Sequence, residues 1–453
     1  MKRPNVRQNI RITMAAFIIL FSILALFLIY STAVYGETWF ATPYNPRINA
    51  VKDVGNAGNI YDRMGRTLAY TDGVRQYADD YDTRLAVAHV VGDQAGNVLG
   101  AETTFAKYIY GFDENVLEKL SSAFSGAAKQ GNDITLTIDA QVSRDIYRNM
   151  DYNGAVVVMN YKTGEVLASV SNPSFDAENL EEGGESRYVN RATMGRYPPG
   201  STMKILTAAA AVEAGIDFSY TCTGQEVVDG QRITCPKEGG HGEVTLQTAF
   251  EKSCNTYFGV LAGKLSSSKL TSWANRLQFN TEFNFSDLTL YKSVFESSNS
   301  AGDMAWAAIG QYNDLITPMH NCMIAAAVAN DGKMLEPKLL KSVSNSAYRP
   351  DVNVIAQMEA DTAAVLREYM RLTVAEGTGT SAQIDGFSVC GKTGTAEYTE
   401  EGEIKNHSWF VGFIDDDAHP LAVSVILEGA GYGSAHAAPL ARQALVSALE
   451  AGY

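Results

Sequence analysis

The sequence lacks the excess of positive charge that nucleic-acid-binding proteins need. Its 453 residues include 36 Lys and Arg against 51 Asp and Glu, which gives a net charge of −15 at pH 7. Because no basic face can dominate such a surface, nucleic acid is excluded as a partner. Internal repeats and long low-complexity tracts are also lacking. With 46% hydrophobic residues, the chain can bury a large core and form more than one domain.

A long run of uncharged apolar residues stands near the N-terminus, MAAFIILFSILALFLIYSTAV from Met14 to Val34. About twenty such residues span a bilayer core, and the run is longer than the apolar core of a typical signal peptide. Basic residues precede it, namely Lys2, Arg3, Arg7 and Arg11. They are expected to stay in the cytoplasm, which puts the rest of the chain outside. A cleaved signal peptide is the alternative, because Ser31–Ala33 are small, whereas the charge asymmetry disfavours a buried core helix.

Composition and pattern divide the chain into four regions. We predict a cytoplasmic tail over residues 1–12, a transmembrane anchor over 13–35, a linker and pedestal domain over 36–132, and a main domain over 133–453. Most of the third region, from Asn56 to Gly131, has many turn signals and no cluster of catalytic residue types. We therefore interpret it as a pedestal or interaction module of the dimerisation kind.

Strand patterns at both ends of the main domain enclose a mainly helical stretch. After a strand at Ile134–Ile138, a helix capped by Asp139 follows, and a hairpin turns at Lys162–Gly164. Helical patterns dominate from Thr202 to Val328. Further predicted elements are a helix at Asp361–Ala375, strands at Ser388–Cys390, Ser408–Ile414 and Leu421–Glu428, and a last helix from Ala438. This order predicts an α+β fold in which helices pack on an antiparallel sheet.

The stretch YPPGSTMKILTAAAA, from Tyr197 to Ala211, places a lone amine near the start of an apolar helix. Ser201 and Lys204 are three residues apart and therefore share one face of that helix. The helix dipole favours negative charge on the serine oxygen, and burial or a second cation would lower the lysine pKa enough to make the amine a base. Because S-x-x-K alone is weak evidence, an N-cap serine beside a solvated lysine is the competing interpretation.

Two further motifs follow along the chain. KSCN, ending at Asn255, supplies Ser253 and Asn255, which point the same way in an extended loop. CGKTGT, ending at Thr395, supplies Lys392 at the start of the returning strands. Each of the three patterns also occurs a second time, at Ser266–Lys269, Ser297–Asn299 and Lys162–Gly164. We interpret these second occurrences as a solvated turn, a loop and a hairpin turn, respectively.

S-x-x-K, S-x-N and K-T-G in this order resemble the signature of penicillin-binding proteins and serine β-lactamases. The chain resembles class B penicillin-binding proteins over nearly its whole length, with further matches at Gly58–Gly65, Leu136–Asp139, Asn190–Ala192, Gly412-Phe413 and Ala438–Leu440. The resemblance implies the α+β fold of that family's transpeptidase domain. Departures from the family pattern occur at Ala57, Met64, Cys254 and Tyr312. None of these positions supplies a group that the chemistry needs.

The resemblance also implies a role for each motif residue. Ser201 would be the acylated nucleophile and Lys204 its base. Ser253 would relay the proton to the leaving amine, while Asn255 would hold the peptide backbone of the substrate. The implied reaction joins a D-alanyl-D-alanine stem peptide to an amine of a neighbouring stem, which makes a peptidoglycan cross-link. β-Lactams would mimic the donor stem and leave a slowly hydrolysed ester on the serine.

The third motif would bind the end of the donor stem. Lys392 would lower the pKa of Lys204 and attract the terminal carboxylate. Thr393 and Thr395 would bind that carboxylate, with Gly394 between them on the same substrate-binding strand. The backbone N–H groups of Ser201 and Thr395 would form an oxyanion hole. The resemblance implies no cofactor for catalysis, a location in the cell membrane, and a SEDS-type membrane polymerase as the partner that makes the glycan.

Several other functions use similar residues. A D,D-carboxypeptidase remains chemically open, because the sequence does not distinguish water from an amine as acceptor. A β-lactamase is disfavoured because no E-x-x-L-N stretch follows Asn255 and because of the anchor and pedestal. A β-lactam sensor would need a cytoplasmic signalling part larger than about ten residues. A non-catalytic scaffold is disfavoured because every reactive group is present, and the segment before Asp133 is too short for a glycosyltransferase domain.

Cysteine is scarce, with five residues, and an odd count in an exported chain leaves at least one thiol unpaired or bound to something else. Cys222, Cys235, His241 and Cys254 can form a tetrahedral zinc site that stiffens the loop of the S-x-N motif. A Cys222–Cys235 disulfide, with the histidine on the surface and Cys254 buried and free, is the competing interpretation. Unlinked thiols are a third one.

Other chemistry-bearing residues receive no catalytic role from the sequence. His407 and His436 are interpreted as packing or surface residues, and Cys322 and Cys390 as small buried hydrophobes. Glu397 stands close to the K-T-G motif, and no role is assigned to it.

Overall fold

A computed structural model describes residues 6–40, 56–111, 131–180, 184–400 and 402–453 of the protein. The predicted cytoplasmic residues Lys2 and Arg3, the linker residues 41–55 and part of the pedestal, 112–130, lie outside the described residues. The predicted division into domains therefore stays a prediction at these boundaries.

The N-terminal helix α1 (Val6–Phe40) is longer than the predicted anchor at both ends. Within it, Val6–Ser31 is apolar and long enough to cross a membrane by length and composition. Its large apolar side chains, such as Phe21 and Leu26, are exposed in the isolated chain. A bilayer covers such surface, so the helix fits a single-pass membrane anchor.

A small five-stranded sheet forms the core of the predicted pedestal. In spatial order its strands are β12 (Leu340–Val343), β4 (Ile134–Leu136), β1 (Ile60–Tyr61), β2 (Thr67–Asp72) and β3 (Val74–Tyr77). β1 and β4 are parallel and the other neighbours are antiparallel. Three helices accompany the sheet, namely α2 (Tyr81–Val91), α3 (Ala101–Thr104) and α4 (Ala106–Ile109). Because β4 and β12 come from beyond residue 132, the sheet ties the pedestal firmly to the main domain.

A buried ion pair lies at the centre of this pedestal. The Arg75 guanidinium Nε is 2.6 Å from a Glu102 carboxylate oxygen, and both side chains are fully buried. Tyr110 donates a hydrogen bond to the same carboxylate, and Arg75 donates another to the Gly58 carbonyl. These hydrogen bonds offset the cost of removing two charges from water.

The main domain is built on a five-stranded antiparallel sheet, as predicted. In spatial order its strands are β14 (Val389–Glu400), β15 (Glu403–Ile414), β16 (Leu421–Leu427), β5 (Gly154–Asn160) and β6 (Val166–Asn172). Alternate residues of β5 enter different cores: Val156 and Val158 face one, whereas Val157 and Met159 face the other. The sheet is therefore covered on both faces.

Helices cover the two faces of the main sheet. On one face lie α5 (Ala140–Arg148), which Asp139 caps as predicted, and the last helix, α13 (Ala437–Glu450). On the other face lies α11 (Pro318–Ala329), whose residues are all buried. The α+β architecture predicted from the order of elements is the observed one.

The stretch from Thr202 to Val328 is mainly helical, as predicted, but it also contains strands that were not predicted. Besides α11, its helices are α6 (Lys204–Glu213), α7 (Leu246–Glu251), α8 (Asn255–Leu265), α9 (Ser267–Arg276) and α10 (Ala301–Ala307). Between them lie four short strands, β7 (Tyr220–Cys222), β8 (Gln225–Val228), β9 (Gln231–Thr234) and β10 (Gly242–Val244). The turn of the β8–β9 hairpin is Asp229-Gly230, both with positive φ, a standard hairpin signal that the sequence offered.

Several other elements differ from expectation or complete the fold. Ser266–Lys269, predicted as a solvated turn, is solvated but begins helix α9. The K-T-G and Ser408 strands form one long hairpin, because β14 and β15 pair from Val389 out to Glu400. Further elements are the paired strands β11 (Lys333–Leu335) and β13 (Val354–Gln357) and the helix α12 (Ala360–Ala375).

The buried ion pair of the pedestal gives a stability prediction. Replacing Arg75 by Met would leave the Glu102 carboxylate buried without its cation, and we expect a loss of about 3–5 kcal/mol in the free energy of unfolding. Arg148→Met is the matched control, because Arg148 forms an exposed pair with Asp82 and should cost less than about 1 kcal/mol. Denaturant unfolding of the detergent-solubilised protein measures both variants. Equal effects of the two substitutions would contradict the assignment.

Candidate active site

The turn that carries Ser201 is held by contacts between backbones. Gly200–Met203 forms a 3₁₀ turn that leads into α6, so Ser201 precedes the α-helix and Lys204 begins it. Gly200 has a φ of 52°, and a Cβ there would lie 2.4 Å from the Thr395 carbonyl oxygen. Its N–H donates to the Gly310 carbonyl at 2.8 Å. Only glycine allows this conformation and this close approach, which brings Ser201 against the K-T-G strand.

The amine of Lys204 is the centre of the site. The side chain is completely buried among the apolar residues of α6 and its neighbours. Its Nζ lies 3.0 Å from Ser201 Oγ, 3.2 Å from Ser253 Oγ and 2.6 Å from Asn255 Oδ1. It also donates to the Ser253 carbonyl at 2.8 Å and faces the ring of Phe258. One amine therefore contacts both the S-x-x-K and the S-x-N motifs.

The S-x-N motif has a different backbone from the predicted extended loop. Ser253 has a φ of 56° and follows α7, whereas Asn255 is the first residue of α8. This bend still aims both side chains at Lys204, because the intervening Cys254 is extended and buried. The Asn255 amide also donates to the Thr234 carbonyl at 2.8 Å. Hydrogen bonds at the oxygen and at the nitrogen of the amide therefore fix the orientation of the Asn255 side chain.

The K-T-G strand supplies the second buried amine. Lys392 Nζ lies 2.9 Å from Ser253 Oγ and 3.1 Å from the Thr393 carbonyl oxygen, and its side chain is fully buried. The ring of Phe250 lies 5.6 Å from this amine. Ser253 thus stands between two lysine amines, which is the arrangement needed to pass a proton between a base and a leaving group.

Burial changes the proton affinity of both amines. It lowers the pKa of Lys204 from its ordinary value of 10.5 to about 8, while the nearby Cys254 and Cys235 thiols oppose the shift. Burial and the charge of Lys204 together lower the pKa of Lys392 well below its usual range. Two adjacent ammonium groups in an apolar site are unfavourable, so a neutral amine is available at moderately alkaline pH.

A cleft of about 300 Å³ opens over these groups. Its lining residues include Ser201, Lys252, Ser253, Asn255, Trp306, Gln311, Thr378, Thr393, Gly394, Thr395, Glu397, Asn406 and Tyr432. Sequence reasoning missed Thr378, whose hydroxyl lies 2.6 Å from that of Thr393. Its signal was weak: a glycine on each side, Gly377 and Gly379.

The second occurrences of the motifs lie elsewhere. The second S-x-x-K and S-x-N stretches lie side by side on the surface. A shallow, open hollow there is lined by Ser266, Ser267, Ser268, Ser297 and Asn299. Lys162–Gly164 turns the hairpin between β5 and β6, as predicted. His407 stacks on Tyr398 with ring centroids 3.9 Å apart. Tertiary structure therefore separates the site residues from their sequence look-alikes.

Three cysteines and a histidine converge directly behind the S-x-N loop. The ligand atoms of Cys222, Cys235, His241 and Cys254 all lie within 4.8 Å of one another. Cys235 Sγ is 3.7 Å from both other sulfur atoms, and Cys222 Sγ is 3.5 Å from His241 Nδ1. β7, which ends in Cys222, pairs with β10, and this pairing brings His241 to the thiols. The predicted four residues are thus brought together.

Comparison with known proteins places the chain in a family. Residues 154–446 match the family described as penicillin binding protein transpeptidase domain. The chain belongs to this family, and its resemblance to class B penicillin-binding proteins is confirmed.

Relatives and solved structures match over most of the chain. Peptidoglycan D,D-transpeptidase PbpA of Mycolicibacterium smegmatis is 30% identical over 91% of this chain and 93% of its own length. Peptidoglycan D,D-transpeptidase MrdA of Haemophilus influenzae is 30% identical, covering 86% of this chain and 67% of its own. The structure of penicillin-binding protein A from M. tuberculosis as a penicillin G acyl-enzyme complex superposes with a TM-score of 0.76. It is 27% identical and covers 87% of this chain and 99% of that one.

The lowered pKa of Lys204 predicts the pH dependence of serine reactivity. Only the neutral amine accepts a proton, and a shift from 10.5 to about 8 raises the neutral fraction at pH 7 about 300-fold. The rate constant for acylation of Ser201 by penicillin should therefore rise about tenfold per pH unit below pH 8 and level off above it. Stopped-flow measurement from pH 6 to 10, with circular dichroism to verify folding, tests this. A rate that is flat or falls over pH 6–8 would contradict the role of the amine.

Proposed function

We propose that this protein is a membrane-anchored peptidoglycan D,D-transpeptidase that works through an acyl-enzyme on Ser201. The observation that carries the proposal is the convergence of Ser201, Ser253 and Asn255 on the buried amine of Lys204, with a second buried amine, Lys392, on Ser253. The names of the full-length relatives support the same activity.

In the first half-reaction the serine is acylated. Neutral Lys204 takes the proton of the Ser201 hydroxyl, 3.0 Å away, as Oγ attacks the carbonyl of the penultimate D-alanine. The tetrahedral adduct then collapses, and the C–N bond to the terminal D-alanine breaks. The proton passes from Lys204 through Ser253 to the leaving amine, which departs as D-alanine. Ser253 suits this relay because it contacts both amines.

The K-T-G strand positions the donor stem and stabilises the adduct. The hydroxyls of Thr393 and Thr395, which line the cleft, bind the terminal carboxylate, and the buried amine of Lys392 lies directly behind them on the same strand. The N–H groups of Ser201 and Thr395 form the oxyanion hole. Their proximity is supported by the packing of Gly200 on the Thr395 carbonyl. An oxyanion-hole donor contributes roughly 3–4 kcal/mol.

In the second half-reaction an amine from a neighbouring stem attacks the ester carbonyl. Its proton returns through the same relay, Ser201 regains its hydrogen, and the new amide is the cross-link. A D,D-carboxypeptidase would use water at this step and needs the same residues. The transpeptidase is preferred because the relatives that match nearly the whole chain carry that name.

We further propose the topology and partner of the enzyme. The basic residues before the anchor keep the N-terminus in the cytoplasm, so that residues 36–453 lie outside, with the pedestal before the catalytic domain from residue 133. The matched family model describes a transpeptidase domain, and the resemblance to class B penicillin-binding proteins supports a SEDS-type membrane polymerase as the partner that supplies the glycan strand and contacts the anchor and pedestal.

Labelling with penicillin tests the acyl-enzyme. Full-length protein in detergent should bind fluorescent penicillin covalently, and peptide mass mapping should place the adduct on Ser201. Ser201→Ala should abolish labelling, since it removes the attacking oxygen, whereas Ser253, the other hydroxyl beside the buried amine, serves as the proton relay. Ser266→Ala, in the other S-x-x-K occurrence, is the matched control and should label fully. An adduct on any other residue would refute the proposal, and a donor–acceptor assay then separates cross-linking from hydrolysis.

We also propose that Cys222, Cys235, His241 and Cys254 hold a structural zinc ion. Ligands about 2.3 Å (sulfur) and 2.0 Å (nitrogen) from a tetrahedral zinc lie about 3.8 Å and 3.5 Å apart, close to the observed 3.7 Å and 3.5 Å. The zinc ion would hold these segments of the chain together and would take no part in the reaction. Because Cys254 stands between Ser253 and Asn255, the bound metal would fix the loop that contacts Lys204.

Metal analysis decides between zinc and the Cys222–Cys235 disulfide. The purified protein should contain about one zinc ion per chain, and His241→Ala should lose it and melt at a lower temperature. Cys322→Ala, at a buried cysteine outside the cluster, should retain the metal. A free-thiol count on denatured protein without reductant completes the test. Absence of metal together with one blocked pair of thiols would refute the zinc site.

A further inference from the structure

The cleft-facing side of the K-T-G strand continues beyond the motif. Thr393, Thr395 and Glu397 alternate along β14 and all line the cleft, whereas Ala396 between them is buried on the opposite side. Among the strands that the structure describes, β14 pairs with β15 alone, so it forms an edge of the main sheet. An extended peptide can therefore lie along its free edge as an added strand.

Glu397 and Asn406 form the far end of this surface. They are direct partners across the β14–β15 pair, and both line the cleft. The Glu397 carboxylate is exposed, and no hydrogen bond or ion pair joins it to another residue in the described part of the chain. Asn406 Oδ1 is buried and has no hydrogen-bond partner there. The Glu397 carboxylate and Asn406 Oδ1 are thus neighbouring hydrogen-bond acceptors without a donor from the described part of the protein. A ligand with several N–H groups can donate to both.

The proposed function fixes which part of a donor stem reaches this place. With the terminal carboxylate at Thr393 and Thr395 and the acyl carbon at Ser201, the donor backbone continues along β14 in the direction of Glu397. Glu397 is two positions beyond Thr395 on the strand, and this spacing corresponds to about 6.6 Å along it. The residue that precedes the D-alanyl-D-alanine terminus therefore lies opposite Glu397.

We infer that Glu397 and Asn406 form a subsite for a side-chain ammonium group on the residue that precedes D-alanyl-D-alanine in the donor stem. The inference rests on the proposed function. Cross-linking needs an amine on a stem side chain as acceptor, so an uncross-linked donor stem of the same composition carries that amine too. It is cationic at neutral pH. The ammonium donates to the Glu397 carboxylate and to Asn406 Oδ1, and the enzyme thereby selects donors whose amine is free.

Two synthetic donors test the subsite. Acyl-L-lysyl-D-alanyl-D-alanine offers a free ε-amine, and its Nε-acetyl counterpart has the same backbone without the charge. We would measure kcat/KM for D-alanine release from each, using the full-length protein in detergent and a free D-amino acid as acceptor. Because solvent-accessible ion pairs contribute modestly, wild type should prefer the free-amine donor about fivefold. The preference should shrink in high salt.

Variants of the β14–β15 hairpin test whether Glu397 is responsible for the preference between the two donors. Glu397→Gln should use the two donors equally, and Glu397→Lys should prefer the acetylated donor. Glu403→Gln, an exposed glutamate of β15 outside the cleft, should keep the wild-type preference. Equal use of both donors by wild type, or an intact preference in Glu397→Gln, would overturn the subsite. Penicillin labelling of Ser201 in each variant separates the two proposals, since missing labelling of wild type refutes the acyl-enzyme and not the subsite alone.

Discussion

The burial of the Lys204 amine is the constraint on which the site depends. An ammonium group removed from water is costly unless it is hydrogen-bonded or neutral. The site meets both conditions. Ser201, Ser253 and Asn255 form hydrogen bonds with the amine, and burial lowers its pKa to about 8, which favours the neutral form. Since these partners come from two separated segments, the amine is satisfied only when the whole site is assembled. Catalytic geometry and folding therefore depend on the same contacts.

The second buried amine makes this arrangement more demanding. Lys392 shares Ser253 with Lys204, and two charged amines so close would repel each other in an apolar site. The fold holds them by contacts between backbones, where Gly200 packs on Thr395 and Gly310 packs on Gly200. At these positions a side chain has no room. Precise placement of Ser201 thus comes from main-chain packing, which tolerates little displacement.

The cluster of thiols and Glu397 both adjoin the site, and Cys235 and Glu397 line the same cleft. Cys254 lies in the loop between Ser253 and Asn255, so whatever links the cluster also fixes the groups that contact Lys204. Glu397 lies on the strand that carries Lys392 and Thr395. The loop and the strand each therefore join a part of the candidate active site to a neighbouring group for which we propose a role, namely the thiol cluster and Glu397.

Sequence alone determined the anchor, the α+β class and the catalytic candidates, because these depend on local signals. The apolar run, the alternation around β4 and the cap at Asp139 are read within a few residues. The strands β7 and β10 were missed since they pair across an intervening hairpin, whereas the local turn signal of that hairpin, Asp229-Gly230, was overlooked. The positive φ of Ser253 and the contact of Thr378 with Thr393 also arise from distant packing. Tertiary structure alone decided which of two S-x-x-K serines lies beside a buried amine, because burial is a property of the assembled core and not of four residues.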